Sequence, residues 1–140
     1  MKVLIESVFR SRGHVLGVHP KMLDIAQPAH PQLTNLITTG SLHERKNIMI
    51  KKADAFLVMP GSFGTLDEFF EVMVLNKINE IRKPVFLFNI NGFWDGLIAQ
   101  LHTIQRSGFV NDVNSFLTVV ESIAEIEEFL LKLNTSMVVK

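Results

Sequence analysis

A chain of 140 residues is long enough for one compact domain with a hydrophobic core and too short for two of ordinary size. Hydrophobic residues make up 47% and charged residues 20%, which excludes a disordered or simple fibrous chain. Fourteen Lys and Arg balance fourteen Asp and Glu, so no positive field calls for a nucleic-acid polymer, and the lack of cysteine removes disulfides, thiolate metal sites and a Cys nucleophile.

Met1 to Arg12 reads as a helix with charges at Lys2, Glu6, Arg10 and Arg12, the wrong pattern for a signal peptide. No apolar run approaches the roughly 20 residues that span a bilayer, so a soluble, cytoplasmic protein without a membrane partner is expected. Val15-Leu16-Gly17-Val18, closed by His19-Pro20, is the first candidate strand. Residues 20–41, with three prolines and several polar side chains, read as a long irregular connection. Such lengths are uncommon unless they serve a site. Leu42 to Lys52 reads as a helix. Ala55-Phe56-Leu57-Val58-Met59 stops at Pro60-Gly61, and Pro84-Val85-Phe86-Leu87-Phe88 stops at Asn89-Ile90-Asn91-Gly92. Both are apolar at consecutive positions, which suits parallel strands covered on both faces.

Between them, Leu66, Phe69, Phe70, Met73 and Val74 recur at helical spacing. Trp94, Leu97, Ile98, Leu101 and Ile104 make a second stripe, and Ile123, Ile126, Phe129, Leu130 and Leu133 a third. Phe116 to Val120, between these two, is a weaker strand. The alternation predicts a doubly wound, Rossmann-like α/β fold around a parallel sheet, with residues 1–140 as a single domain. Such a domain begins with a strand, whereas this sequence opens on a helix. An N-terminal piece of the fold is therefore expected to be missing.

The most informative stretch is Pro60-Gly61-Ser62-Phe63-Gly64-Thr65-Leu66-Asp67-Glu68, between a buried strand and an amphipathic helix. In a parallel sheet this is the carboxyl end of the strand, where open α/β folds bind ligands. Gly61 and Gly64 permit close backbone approach, and Thr65 with Glu68 matches a capping box. Unpaired amides at a helix start, with its positive dipole end, suit a phosphate. An ordinary glycine turn before a capped helix fits the spacing equally well. It is neither a Walker A loop nor G-x-G-x-x-G.

The second constellation is Leu42-His43-Glu44-Arg45-Lys46-Asn47-Ile48-Met49. A helix here can carry Arg45 toward the phosphate turn, where guanidinium matches phosphate with a forked pair of donors and Lys46 adds a point charge. A solvated helix face is the plainer alternative. His43-Glu44 does not continue as His-Glu-x-x-His, and His14, His19, His30 and His102 are scattered, so no metal is expected.

Together these segments resemble the LONELY GUY (LOG) family and its bacterial relatives, whose motifs are P-G-G-x-G-T-x-x-E and M-H-E-R-K. Here Ser62 replaces the second glycine and Leu42 the methionine. Gly17-Val18-His19-Pro20, Ala53 to Met59, Asn91-Gly92-Phe93-Trp94-Asp95 and Leu117-Thr118-Val119-Val120 extend the likeness through nearly the whole chain. The resemblance implies hydrolysis of the N-glycosidic bond of a purine nucleoside 5'-monophosphate, AMP or a cytokinin riboside monophosphate, to free base and ribose 5-phosphate. Gly61, Ser62, Phe63, Gly64 and Thr65 would hold the substrate and its phosphate, with Lys46 in contact. Arg45, Asp67 and Glu68 would be the catalytic set, with the acidic pair at the reacting sugar. Glycosidic cleavage passes through an oxocarbenium-like transition state, which one carboxylate can stabilise while another activates water. No cofactor is implied, and a homodimer is. Relatives have carried the description lysine decarboxylase, but no lysine here stands in a convincing pyridoxal-phosphate setting.

Four departures bear on activity. Ser62 adds a side chain to the turn, Asp67 replaces the usual glutamate, and Gln27 stands where relatives place a substrate-contacting glutamate. Met1 aligns within an upstream G-G-G-x-x-G-L-M-G segment. In the strand order 3-2-1-4-5, the absent strands would lie between the Val15 and Ala55 strands. Residues 1–140 alone are accordingly expected to hydrolyse AMP poorly. A non-catalytic nucleotide-binding module and an inactive fragment are the alternatives.

Overall fold

The computed structural model describes the backbone of residues 2–33 and 35–138 and, in the last helix, the side chains through Phe129 and that of Leu131. Met1 and the side chains of Leu130 and Leu133, invoked above, lie outside the described residues. The chain forms two compact units, residues 1–53 and 54–140. Parallel strands alternate with helices in both, which makes the protein α/β of the Rossmann-like kind. Among the described residues, no helix is long and apolar enough to cross a membrane.

In the first unit, α1 (Lys2–Arg10) precedes β1 (Leu16–Pro20), which pairs in parallel with β2 (Asn35–Thr39). Residue pairs run from Leu16 opposite Asn35 to Pro20 opposite Thr39. Strand β2 corrects the expectation of an irregular connection over residues 20–41. A short 3-10 turn at Lys21–Leu23 and the following loop make the crossover, and the chain then returns as a strand. Pro28 and Pro31, which suggested a loop, belong to this crossover, whereas Pro20 closes β1. The strand itself escaped notice because Asn35, Leu36 and Thr38 are exposed, so it lacks a continuous apolar run.

Helix α2 (Leu42–Lys52) begins at a capping arrangement that the sequence reading did not pick out. Ser41 Oγ accepts the Glu44 amide at 3.1 Å, and Glu44 Oε2 accepts the Gly40 amide at 2.7 Å. Two amides at the helix start thus find partners.

The second unit is a three-stranded parallel sheet of β3 (Phe56–Val58), β4 (Val85–Phe88) and β5 (Leu117–Val120), with β4 central. Helices α3 (Phe63–Lys77), α4 (Asp95–Arg106) and α5 (Ile123–Val138) follow the three strands in turn. All four residues of β4 are buried, as its apolar run requires. Strand β3 is covered less completely, with Leu57 exposed between half-buried Phe56 and buried Val58. The core gathers Phe86, Phe88, Val120 and Ile126, and Phe129 meets Phe86 edge-on at 5.0 Å. Each such side chain contributes roughly 1.5–3 kcal/mol when fully buried. At the start of α5, Ser122 Oγ donates to Glu125 Oε1 at 2.6 Å and the Glu121 amide donates to Oε2 at 3.3 Å. The Ser122 hydroxyl first, then the Glu121 amide, hold the Glu125 carboxyl below its usual range.

Candidate functional site

The Pro60 to Glu68 stretch lies where its flanking elements require. Strand β3 ends at Val58, opposite Leu87 of β4, and the chain turns through Pro60 and Gly61 into α3. The helix begins three residues earlier than the capping-box reading implied. Ser62 occupies the N-cap position and its side chain makes no capping bond. Its carbonyl accepts the Thr65 amide at 3.0 Å and the Leu66 amide at 3.1 Å, so Thr65 is already inside the first turn. Thr65 as cap, with Glu68 completing a box, is therefore corrected. The sequence reading named Thr65 alone, and the backbone places the cap at Ser62.

Thr65 instead packs over the turn. A Cβ on Gly61 would collide with Thr65 Oγ1 and stand 2.8 Å from Thr65 Cβ, which explains glycine at position 61 by steric need alone. Gly64 is different. A Cβ there would meet nothing within 4 Å, so its backbone faces open space at the head of the helix. The first amides of a helix have no intrahelical acceptor, and here no N-cap side chain covers them. Phe63, beside Gly64, is 89% exposed.

The acidic pair separates by environment. Glu68 is half-buried and Asp67 is exposed on the same turn of α3. Desolvation strengthens the field that a carboxylate exerts, so the half-buried member has the larger electrostatic reach.

Arg45 and Lys46 belong to the first unit, and residues 60–68 to the second. Both cations are half-buried on α2. Arg45 Nε donates to the Val18 carbonyl at 3.1 Å, which ties the guanidinium to β1. Charge-assisted bonds of this kind are stronger than neutral ones. Gln27 is exposed in the crossover after β1. Among the described residues, no three His, Asp or Glu side chains cluster as a metal site.

One residue at this end of the sheet was missed by the sequence reading. Asn89 directly follows β4 and is buried. Its Oδ1 accepts the Trp94 amide at 2.7 Å, its Nδ2 donates to Asp95 Oδ1 at 2.8 Å, and its own amide donates to the Val120 carbonyl at 2.8 Å. Asn89 thereby knots the loop beyond β4, the strand next to β3. Its signal was an asparagine closing a fully apolar strand, with an aspartate six residues on.

Comparison with known proteins places this geometry in context. A family model described as possible lysine decarboxylase matches residues 1–132. A cytokinin riboside 5'-monophosphate phosphoribohydrolase of Arabidopsis thaliana is 34% identical over 111 residues, covering 79% of this chain and 52% of that protein. A cytokinin riboside 5'-monophosphate phosphoribohydrolase of Oryza sativa subsp. japonica is 29% identical over 143 residues, covering 99% of this chain and 59% of that protein. A probable one from the same rice is 36% identical over 110 residues, covering 79% and 48%. The chain spans about half the length of the curated relatives it matches. With its glycine turn at the carboxyl end of a parallel strand and a family match over nearly its whole length, the chain belongs to the LOG family, whose model bears the description possible lysine decarboxylase.

Proposed function

We propose that the protein is a nucleotide phosphoribohydrolase that cleaves purine nucleoside 5'-monophosphates, AMP or a cytokinin riboside monophosphate, in the cytoplasm. The observation that carries this reading is the α3 start. An uncapped helix head with an open Gly64 face stands one turn ahead of a half-buried Glu68. The phosphate sits at the Gly61 to Thr65 turn, on the amides ahead of Thr65, where the helix dipole favours an anion. Arg45 and Lys46 on α2 are the cations proposed to contact the nucleotide, as the family motif implies.

The reaction adds water across the bond between the anomeric carbon and the base nitrogen. Hydroxyl goes to the sugar and a proton to the departing base. Glu68 stabilises the positive charge that grows on the ribose ring as that bond breaks, and Asp67 is the reserve carboxylate beside it. The printed names of the relatives describe the same reaction class. Incubation with AMP should release adenine and ribose 5-phosphate in equal amounts, at a low rate from residues 1–140 alone, measured by chromatography. Binding of AMP at the turn without base release would reject the enzyme. It would favour the non-catalytic nucleotide-binding module that Ser62 and Gln27 suggest.

The assembly proposed is a homodimer through α3. Phe63, Phe70, Val74 and Ile78 are exposed along one stripe of this helix and its end, while Phe69, Val72 and Met73 are buried on the other side. Light scattering should give twice the 15.8 kDa chain mass. A single-chain mass at high concentration would reject the dimer.

A further inference from the structure

The second unit holds a cavity of about 630 Å³ at the opposite end of its sheet from the Gly61 to Thr65 turn. Its walls come from the end of α3 and from the segments that lead into β4 and β5, so it lies at the amino ends of those strands. The hydrolysis proposed above uses nothing here.

The frame of this cavity is built from specific hydrogen bonds. Buried Asn76 donates from Nδ2 to the Lys83 carbonyl and accepts the Lys83 amide on Oδ1, both at 3.1 Å. This pair fixes the connection between α3 and β4 to the helix. Lys77 Nζ donates to the Phe109 carbonyl at 3.1 Å and ties in the segment after α4. One such bond uses one of three ammonium donors.

The chemistry of the lining is lopsided. Lys77, Arg82 and Lys83 bring three cations, against Asp112 as the one carboxylate among the described lining residues. That carboxylate already accepts the Asn114 amide at 2.9 Å. Phe109, Phe116 and Phe129 supply flat apolar walls, and Phe109 is 75% exposed. Phe129 is held in place by its edge-on contact with Phe86. A volume of this size falls in the range of small-molecule sites, roughly 300–1,000 Å³. Aromatic rings prefer to stack or meet edge-on with other rings, and an acidic group gains most beside several cations.

We propose that this cavity is a second ligand site, built for a small planar aromatic anion that lies among the phenylalanine rings with its acidic group toward Lys77, Arg82 and Lys83. The site stands independently of nucleotide binding at the turn. The test is a titration of the ¹⁵N-labelled protein with 2-naphthoate, followed by amide NMR. Saturable shifts are expected at Lys77, Lys83, Phe109, Asn111 and Phe116, while AMP should shift Gly61 to Thr65 instead. Arg82→Glu should weaken 2-naphthoate about tenfold by reversing one nearby charge. Phe109→Ala should weaken it by about the same factor through loss of ring contact. Both side chains are exposed, so the fold and the AMP shifts should persist in each variant. Acetate and neutral 2-naphthamide should each bind at least about tenfold more weakly than 2-naphthoate. Shifts that do not saturate, shifts at the turn instead, or unchanged affinity in either variant would overturn the proposal.

Discussion

Replacing Glu68 by Gln is expected to lower kcat for adenine release from AMP by about 10²- to 10⁴-fold, the range typical of a group that acts on the transition state. The substitution keeps shape and removes charge. Glu68 is half-buried on α3 one turn beyond the open head of the helix, so its field reaches a sugar held there with little screening. Loss of an interaction made mainly in the transition state lowers kcat and kcat/KM together and leaves AMP affinity nearly intact. Asp67 is exposed on the same turn, and Asp67→Asn should cost far less. Calorimetry must show unchanged AMP binding in both variants before the rates are compared. Full turnover by Glu68→Gln would remove Glu68 from the chemistry and shift the role to Asp67.

The two glycines of the turn should respond in opposite ways. At Gly61 a methyl group runs into Thr65 Oγ1 and Cβ, so Gly61→Ala is expected to destabilise the second unit by roughly 1–3 kcal/mol, the usual cost of overpacking. Shortening the neighbour should rescue it, and Gly61→Ala with Thr65→Gly should recover part of the loss. At Gly64 the added methyl meets nothing within 4 Å, and the residue is already in the first turn of α3. Gly64→Ala should therefore stabilise the fold by roughly 0.5–1 kcal/mol through helix propensity. The same methyl would stand where a phosphate approaches the helix head, and AMP affinity should fall about tenfold or more. Thermal unfolding and AMP titration of the two variants check both halves. A Gly64→Ala protein that binds AMP at full strength would place the phosphate elsewhere.

How far the sequence disclosed this differed from element to element. Val85 to Phe88 was legible because a central parallel strand is buried on both faces and must be apolar throughout. Asn35 to Thr39 was not legible, since a strand with exposed faces keeps polar residues and hides among turn formers. The Pro60 to Glu68 stretch was located correctly by its place between a strand and an amphipathic helix. Its cap was misassigned because Ser62 and Thr65 have equal chemical claims, and the steric clash of Thr65 with position 61 appears only in three dimensions. Asn89 went unnoticed because its partners, Trp94, Asp95 and Val120, become neighbours only when the loop closes on the sheet.

That closure has a spectroscopic consequence. The chain has one tryptophan and no tyrosine, so emission excited at wavelengths longer than the phenylalanine band comes from Trp94 alone. The indole is 4% exposed and stacked edge-on against Phe93 at 4.7 Å, with its backbone amide held by Asn89. It sits just past the carboxyl end of β4, next to the strand that delivers the glycine turn. A buried indole in a fixed apolar setting emits at short wavelength and shifts to the red when water reaches it. The molecule thus carries an intrinsic, label-free optical reporter beside its candidate nucleotide site, with no second fluorophore to deconvolute.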